Sequence, residues 1–263
     1  MANEASGVEY RTEKILQELL RDGEVAVDIL ARHLNVSAAT IRRDLTELEK
    51  QGLLRRSHGG AVAVAPMMYE PFRHVSSFHE QEQKCAAEKR RIGLMAANLV
   101  ADGEIIAIGA GTTTTQVAQS IRHRKGITVL TNAVNVAMEL SHRAEIKVSV
   151  TGGLLSGDWF ALVGDVAQRS AAEVFVDKVF IGVDGIDAER GLTTNYADQA
   201  AIHRAMMQQA RQRIVVADHR KIGLIGTSLI WPSKDLDIFI TDKSTTDEEI
   251  APFSEKKITV LRA

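Results

Sequence analysis

The chain of 263 residues has one cysteine, Cys85. No intrachain disulfide can therefore form, and a zinc cluster built on cysteines is excluded. Four prolines leave little room for a Pro-rich disordered tail. No uninterrupted apolar run approaches the roughly 20 residues that span a bilayer. Residues 1–14 are polar and lack the apolar core of a secretory signal. There is no internal repeat and no low-complexity tract. The formal charge of −2 shows no excess of either sign, so contact with nucleic acid has to be argued from where charges sit rather than from their sum. These absences point to a reducing, cytoplasmic setting with no membrane segment.

What is present is ordinary globular material, 45% hydrophobic and 25% charged residues, enough to bury a core. The length favours two domains over one. Near the start, Ile15, Leu16, Leu19 and Leu20 recur at helical spacing up to Asp22-Gly23. Val25 and Val27 then alternate as in a short extended piece, and a second short helix is expected to turn Ile29, Leu30 and Leu34 inward. After the turn at His33–Val36, Ser37 is placed to cap a third helix over 38–50. That helix has Ile41, Leu45 and Leu48 on one face and ends at Gln51-Gly52. Leu53-Leu54-Arg55-Arg56 opens a hairpin that turns at Gly59-Gly60.

With Ile41, Leu45 and Leu48 facing a core, Ser37, Ala38, Thr40, Arg42 and Arg43 are left on or beside the exposed N-terminal half of the third helix. A helix-turn-helix inserts that part of its second helix into the major groove. Small residues at 38 and 39 allow close approach, methyl groups can meet a thymine methyl, and an arginine can pair with guanine or clamp a phosphate. Arg55, Arg56 and His58 on the hairpin would lie over the neighbouring backbone like a wing. Arg42 and Arg43 alone fit a solvated helix equally well. The order helix, turn, capped helix, basic hairpin is what makes DNA the stronger reading.

From residue 63 to 84 the periodicity is lost and two prolines occur, which reads as a linker. Beyond it helices at about 86–100, 114–122, 133–141, 166–172, 199–211 and 246–251 alternate with short β-rich runs at 105–108, 128–130, 147–150, 178–181, 213–216, 238–240 and 258–261. Such alternation predicts a mainly parallel sheet covered by helices. Polar groups recur just past the strand ends, where open α/β sheets bind ligands. Gly109-Ala110-Gly111-Thr112-Thr113-Thr114-Thr115 joins a strand to a helix, so glycine amides and threonine hydroxyls form a candidate phosphate cradle. This run matches neither the dinucleotide fingerprint nor the Walker pattern. Thr131-Asn132, Thr151-Gly152-Gly153, Asp184 to Asp187, and Asp218 with Lys221 follow four further strands. Any one of them could be a turn or a cap; together they suggest a pocket.

The run from Val36-Ser37 through Thr40-Ile41-Arg42-Arg43-Asp44-Leu45 and Leu48-Glu49-Lys50-Gln51-Gly52, closing with Arg56-Ser57-His58-Gly59-Gly60-Ala61, resembles the DeoR family of bacterial regulators. Residues 85–263 also resemble the DeoR effector domain at Glu88-Lys89-Arg90, Gly111-Thr112-Thr113, Thr131-Asn132, Thr151-Gly152-Gly153, Asp184 to Asp187 and Asp218 with Lys221. Members often carry Ser-Ser before that lysine and Phe-Gly after it, where this chain has His219-Arg220 and Ile222-Gly223. The resemblance implies three parts: a winged helix-turn-helix over 1–62, a linker over 63–84, and an α/β effector-binding and oligomerisation domain over 85–263 akin in fold to ribose-5-phosphate isomerase and CoA transferases. It implies a repressor of a carbohydrate catabolic operon whose partners are double-stranded operator DNA, a phosphorylated sugar or polyol that releases it, and further copies of itself as a dimer or tetramer. The phosphate would be held by 109–115, with Asp184 and Lys221 near the sugar hydroxyls or the phosphate.

The main alternative is a sugar-phosphate isomerase with an appended DNA-binding domain. Aldose–ketose isomerisation needs a general base, a glutamate early in the helix corresponding to 199–211 in the isomerases. Here that stretch has no glutamate, and Asp198 or His203 would have a different reach, so binding without turnover is expected. No cofactor motif is present. No histidine has a metal-site spacing to carboxylates, and Cys85 reads as a packed thiol rather than a sensor.

Overall fold

The computed structural model describes residues 2–50, 53–63, 76–121 and 123–263. They belong to two compact units, Met1–Met67 and Met68–Ala263.

In the first unit, α1 (Ala2–Asp22) is followed by β1 (Glu24–Ala26), α2 (Val27–His33), α3 (Ala38–Lys50), β2 (Leu54–Ser57) and β3 (Gly60–Ala63). Ile15, Leu19, Leu30, Ile41 and Leu45 are fully buried together, each contributing about 1.5–3 kcal/mol of burial free energy. Gly23, at φ 82, closes α1, and its amide donates to the Leu19 carbonyl. Ser37 Oγ accepts the Thr40 amide at 3.1 Å and so caps α3. The sheet order is β1-β3-β2, all antiparallel. Gly60 is needed where β3 crosses β1, because a Cβ there would lie 1.9 Å from the Val25 carbonyl oxygen.

Two expectations about α2 fail for one reason. Val27 opens the helix rather than extending β1, which sets the inward stripe at Val27, Leu30, Ala31 and Leu34. Ile29, expected inward, falls off that stripe and is exposed. The expected end of α3 at Gln51-Gly52 lies outside the described residues.

The second unit begins with α4 (Ser76–Gln83) and α5 (Ala86–Asn98). Then come β4 (Ile105–Ile108), α6 (Thr112–Ile121), β5 (Ile127–Thr131), α7 (Val134–Ser141), β6 (Ile146–Val150), β7 (Leu154–Ser156), β8 (Ala161–Val163) and α8 (Asp165–Ala172). After these follow β9 (Val176–Ile181), β10 (Gly185–Asp187), β11 (Gly191–Thr194), α9 (Ala197–Gln208), β12 (Ala210–Val216), β13 (Ser228–Trp231), β14 (Ile238–Thr241), α10 (Asp247–Glu255) and β15 (Thr259–Arg262). Seven strands form one parallel sheet in the order β15-β14-β12-β9-β4-β5-β6. Its central strands read as continuous apolar runs, such as Val179-Phe180-Ile181 and Ile214-Val215-Val216, all fully buried, as expected for a sheet covered on both faces. The chain fills one side of the sheet through β4, β5 and β6, then the other through β9, β12, β14 and β15. The order therefore reverses between β4 and β9, and a crevice opens at their carboxyl ends.

Three features were not expected. Of the supposed linker over 63–84, Ala63 ends β3 and residues 76–83 are α4; residues 64–75 lie outside the described residues. One aromatic anchors α4: Phe78 is buried, 5.0 Å from the Phe160 ring and 6.5 Å from that of Trp159. A helix held by one side chain has no apolar period to read. Strands β10, β11 and β13 form a separate antiparallel sheet, and β7 pairs with β8. Finally, α6 begins at Thr112, so the threonine run is its first turn rather than a loop; its expected last residue, Arg122, lies outside the described residues.

Candidate DNA-binding face and sensor pocket

On the first unit, Arg42 and Arg43 are exposed on α3, Ser37 is exposed at its cap, and Ala38 and Thr40 are half-buried. Arg55, Arg56 and His58 are exposed on the β2–β3 hairpin. The hairpin is tied to α3 twice: the Arg56 amide donates to Glu49 Oε1 at 2.8 Å, and the Arg56 guanidinium donates to Thr46 Oγ1 at 3.2 Å. Thus α3 and the wing present cations on one connected surface. Asp44, next to Arg43, turns inward instead and receives Arg11 of α1 through Nε at 2.8 Å and Nη2 at 3.2 Å.

In the second unit a pocket opens at the β4–β9 reversal. Its wall includes Gly111, Thr112 and Thr113 after β4, Gly182 to Asp184 after β9, and Lys221 after β12. Lys221 Nζ stands 3.9 Å from Asp184 Oδ1. The other carboxylate oxygen of Asp184 accepts the Thr194 hydroxyl at 2.8 Å and the Asn195 amide at 2.9 Å. Gly111 sits at φ 152, a conformation that side chains rarely adopt, and its carbonyl accepts the hydroxyls of Thr114 and Thr115 at 2.9 and 2.8 Å. The first-turn amides of α6 thereby stand at the pocket, where a helix N-terminus favours an anion.

Of the residues singled out from sequence, Gly111, Thr112, Thr113, Asp184 and Lys221 meet on the pocket wall. The others lie elsewhere. Gly109 is backed against Ile181 and His203, which an added Cβ would approach to 2.8 and 2.9 Å. The Thr114 hydroxyl is turned into its own helix. Thr131 Oγ1 donates to the Ile108 carbonyl and accepts the Ala133 amide. Asn132 bonds the Ala110 amide and the Leu162 carbonyl. Gly152 and Gly153 lead into the β7 strand, with Gly153 packed on the Val163 carbonyl and Ala167. None of these six lies on the pocket wall.

Sequence reasoning missed Gln81, Lys89, Trp159, Thr194 and Gln199, all on the wall. Gln199 is buried and its amide reaches the Ala110 carbonyl and the Thr194 hydroxyl, both at 3.4 Å. Lys89 was quoted only within a motif; its burial at 2% exposure has no sequence signal beyond being a cation on an otherwise apolar-backed helix. The fold also brings Cys85, Asp218 and His219 within 4.8 Å of one another, a juxtaposition no spacing foretold. Two of the three are already engaged. Asp218 takes Arg220 at 2.7 and 3.0 Å, and His219 Nδ1 meets Asp242 at 3.0 Å.

The DeoR-like helix-turn-helix domain matches residues 11–66, and the DeoR C terminal sensor domain matches residues 84–243. The chain belongs to the DeoR family of transcriptional regulators. A putative aga operon transcriptional repressor of Escherichia coli O157:H7 is 32% identical over 259 residues, 97% of this chain and 94% of that protein. The HTH-type transcriptional regulator GlpR of Haloferax volcanii is 34% identical over 245 residues, 93% of this chain and 94% of that protein. These relatives are regulators, not enzymes. Ribose 5 phosphate isomerase A from Neisseria gonorrhoeae aligns in structure with a TM-score of 0.38 at 16% identity, over 51% of this chain and 52% of that one. Among the described residues of this DeoR-type regulator, no helix is long and apolar enough to cross a membrane.

At the start of α9 the residue turned to the pocket is Gln199, whose amide cannot take up a proton as a general base must. Asp198 is exposed and off the pocket wall. His203 is fully buried, also off the wall, and burial lowers its pKa to about 4.

Proposed function

We propose that this DeoR-family regulator represses a carbohydrate catabolic operon, that α3 and the β2–β3 wing bind its operator, and that a phosphorylated sugar or polyol in the pocket releases it. The observation that carries the reading is the meeting of the α6 N-terminal turn, Gly111 to Thr113, with Lys221 across one crevice. Amides, hydroxyls and an ammonium converge there as a phosphate requires, while Asp184 and Gln199 offer partners for sugar hydroxyls. On the DNA side, Arg42 and Arg43 stand exposed on the outer face of α3, and Ser37, Ala38 and Thr40 lie at its N-terminal end, which enters the groove in this motif. Arg55, Arg56 and His58 would contact the flanking backbone. One such unit reads few base pairs, so we infer a dimer or tetramer assembled through the second unit. The exposed Leu154, Leu155 and Val166 support self-association there.

The test is selection of a binding site from a random duplex library, followed by anisotropy titrations with and without sugar phosphates and their unphosphorylated parents. Release by a phosphorylated compound at concentrations where its parent has no effect is expected. Release by both forms alike would remove the phosphate from the reading, and failure to enrich any sequence would remove the operator.

A further inference from the structure

Lys89 on α5 is 2% exposed, and its ammonium donates to one acceptor, the Gln81 backbone carbonyl. Among the described residues no carboxylate lies within ion-pair distance of it. Asp218 is the carboxylate whose charge acts most on it, and it is occupied by Arg220 at 2.7 and 3.0 Å. A buried cation without a counter-charge is costly, and burial pushes the Lys89 ammonium down to about 8. Lys89 nevertheless faces the pocket, where, among the described residues, the other charges on the wall are Lys221 and Asp184. The wall thus carries one positive charge in excess.

The carbonyl that Lys89 holds belongs to the last turn of α4. The four terminal carbonyls of a helix have no intrahelical donor, and a lysine is a common cap for them. Gln81 and Trp159 also form part of the pocket wall, and Trp159 meets Phe78, the buried anchor of α4. The cavity they bound is about 50 Å3, room for water but far below the several hundred Å3 typical of a ligand site. An anion seated against Lys89 competes with the Gln81 carbonyl for its ammonium.

We propose that Lys89 is the counter-charge of the pocket's anionic ligand, and that the ligand draws its ammonium from the Gln81 carbonyl, so that occupancy reaches α4 as loss of its C-terminal cap. The proposal rests on the anion-binding reading of the pocket given above. In chain order α4 is the first described element after the DNA-reading unit, which makes it the natural recipient of such a signal.

The probe is sulfate, a dianion that does not titrate near neutrality, applied to the full chain and to Lys89→Met, Lys89→Arg and Lys221→Met. Calorimetry should show sulfate binding to the wild type, weakened about tenfold or more in Lys89→Met, as expected for loss of a charge-assisted bond, and largely kept in Lys89→Arg. Hydrogen exchange over 79–83 should rise when sulfate binds the wild type. In Lys89→Met it should already be raised and should not respond. Equal sulfate affinity in Lys89→Met and wild type, with binding lost in Lys221→Met, would overturn the role of Lys89 while leaving the pocket reading intact. No binding by the wild type to either sulfate or inorganic phosphate would overturn both. Binding with unchanged or lowered exchange over α4 would overturn the coupling. If Lys89→Met fails to fold, the wild type decides. Lys89 is surrounded by Cys85, Asp218, Arg220 and Lys221, and its own proton is the one lost near pH 8, so sulfate affinity should fall above about pH 8. A flat profile from about pH 7 to about pH 9.5 would overturn the proposal.

Discussion

Asn132 Oδ1 accepts the Ala110 amide at 3.0 Å, so the residue after β5 holds the turn after β4 in place. The other end of the same side chain donates to the Leu162 carbonyl at 3.2 Å on β8, and none of it is exposed. Asn132 is therefore a clamp between the glycine–threonine turn and the β7–β8 hairpin, and the shape of the pocket depends on it without any contact to an occupant.

Asn132→Ala should orphan two buried backbone groups, at roughly 1–3 kcal/mol each. Urea unfolding of the second unit should show that loss. Anion affinity should fall with it, because the Ala110–Gly111 backbone is no longer pinned. Unchanged stability with unchanged affinity would mean that water replaces the clamp without cost.

Arg43 and Asp44 are neighbours with opposite tasks. Arg43→Ala should cost about 1–3 kcal/mol of operator binding and leave thermal unfolding unchanged, since the side chain is exposed. Asp44→Ala should instead lower the stability of the first unit by about 1–2 kcal/mol. It removes the carboxylate that accepts two Arg11 hydrogen bonds, and the partial exposure of Arg11, 18%, tempers the loss. Equal stability losses in the two variants would place α3 the wrong way round.

Where the physics is local, the sequence reading and the structure agree closely. The start of α3 at Ala38 follows from the Ser37 cap and its buried face from the Ile41–Leu45–Leu48 spacing, and each central strand shows as an apolar run between turn residues. Five pocket residues were legible because open α/β sheets place ligand groups after strand ends. The rest depended on partners distant in sequence. Lys89 and Gln199 sit on helices whose pocket-facing side is fixed only by packing. Trp159 lies in a single helical turn between β7 and β8. The one-anchor helix α4 leaves no periodic trace, and the strands of the small antiparallel sheet, three or four residues each, are too short to alternate visibly.

Gln199→Glu tests the pocket's polarity. The amide nitrogen now reaches the Ala110 carbonyl at 3.4 Å, and a carboxylate in its place would face that oxygen and add a negative charge where an anion is expected. Affinity for a sugar phosphate or for sulfate should drop about tenfold near neutral pH and recover as the solution is acidified and the new carboxyl is protonated. Unimpaired binding would argue that the anion sits away from Gln199. Ketose formation by this variant would show that only the missing base separates the pocket from catalysis.

His203 offers a test of folding linkage that is independent of any ligand. Its ring is 1% exposed, with no hydrogen-bond partner for either nitrogen among the described residues, and Nε2 lies against Gly109. Burial dominates and lowers its pKa to about 4, with Asp184 pulling weakly the other way. An unfolded histidine titrates near 6.5. Between these values the unfolded chain binds a proton that the folded chain refuses. The stabilisation is therefore complete above about pH 6.5 and is lost as pH falls toward 4. Linkage makes this about 2 kcal/mol between about pH 7.5 and about pH 5. Denaturant unfolding of the wild type should weaken over that interval, and the weakening should be about 2 kcal/mol smaller in His203→Leu, which fills the same apolar space without a titrating group. Other histidines contribute equally to both proteins and cancel in the difference. Parallel stability profiles for the two proteins would mean that His203 is protonated as readily inside the fold as outside it, and that a water or a shifted side chain supplies the partner its ring lacks.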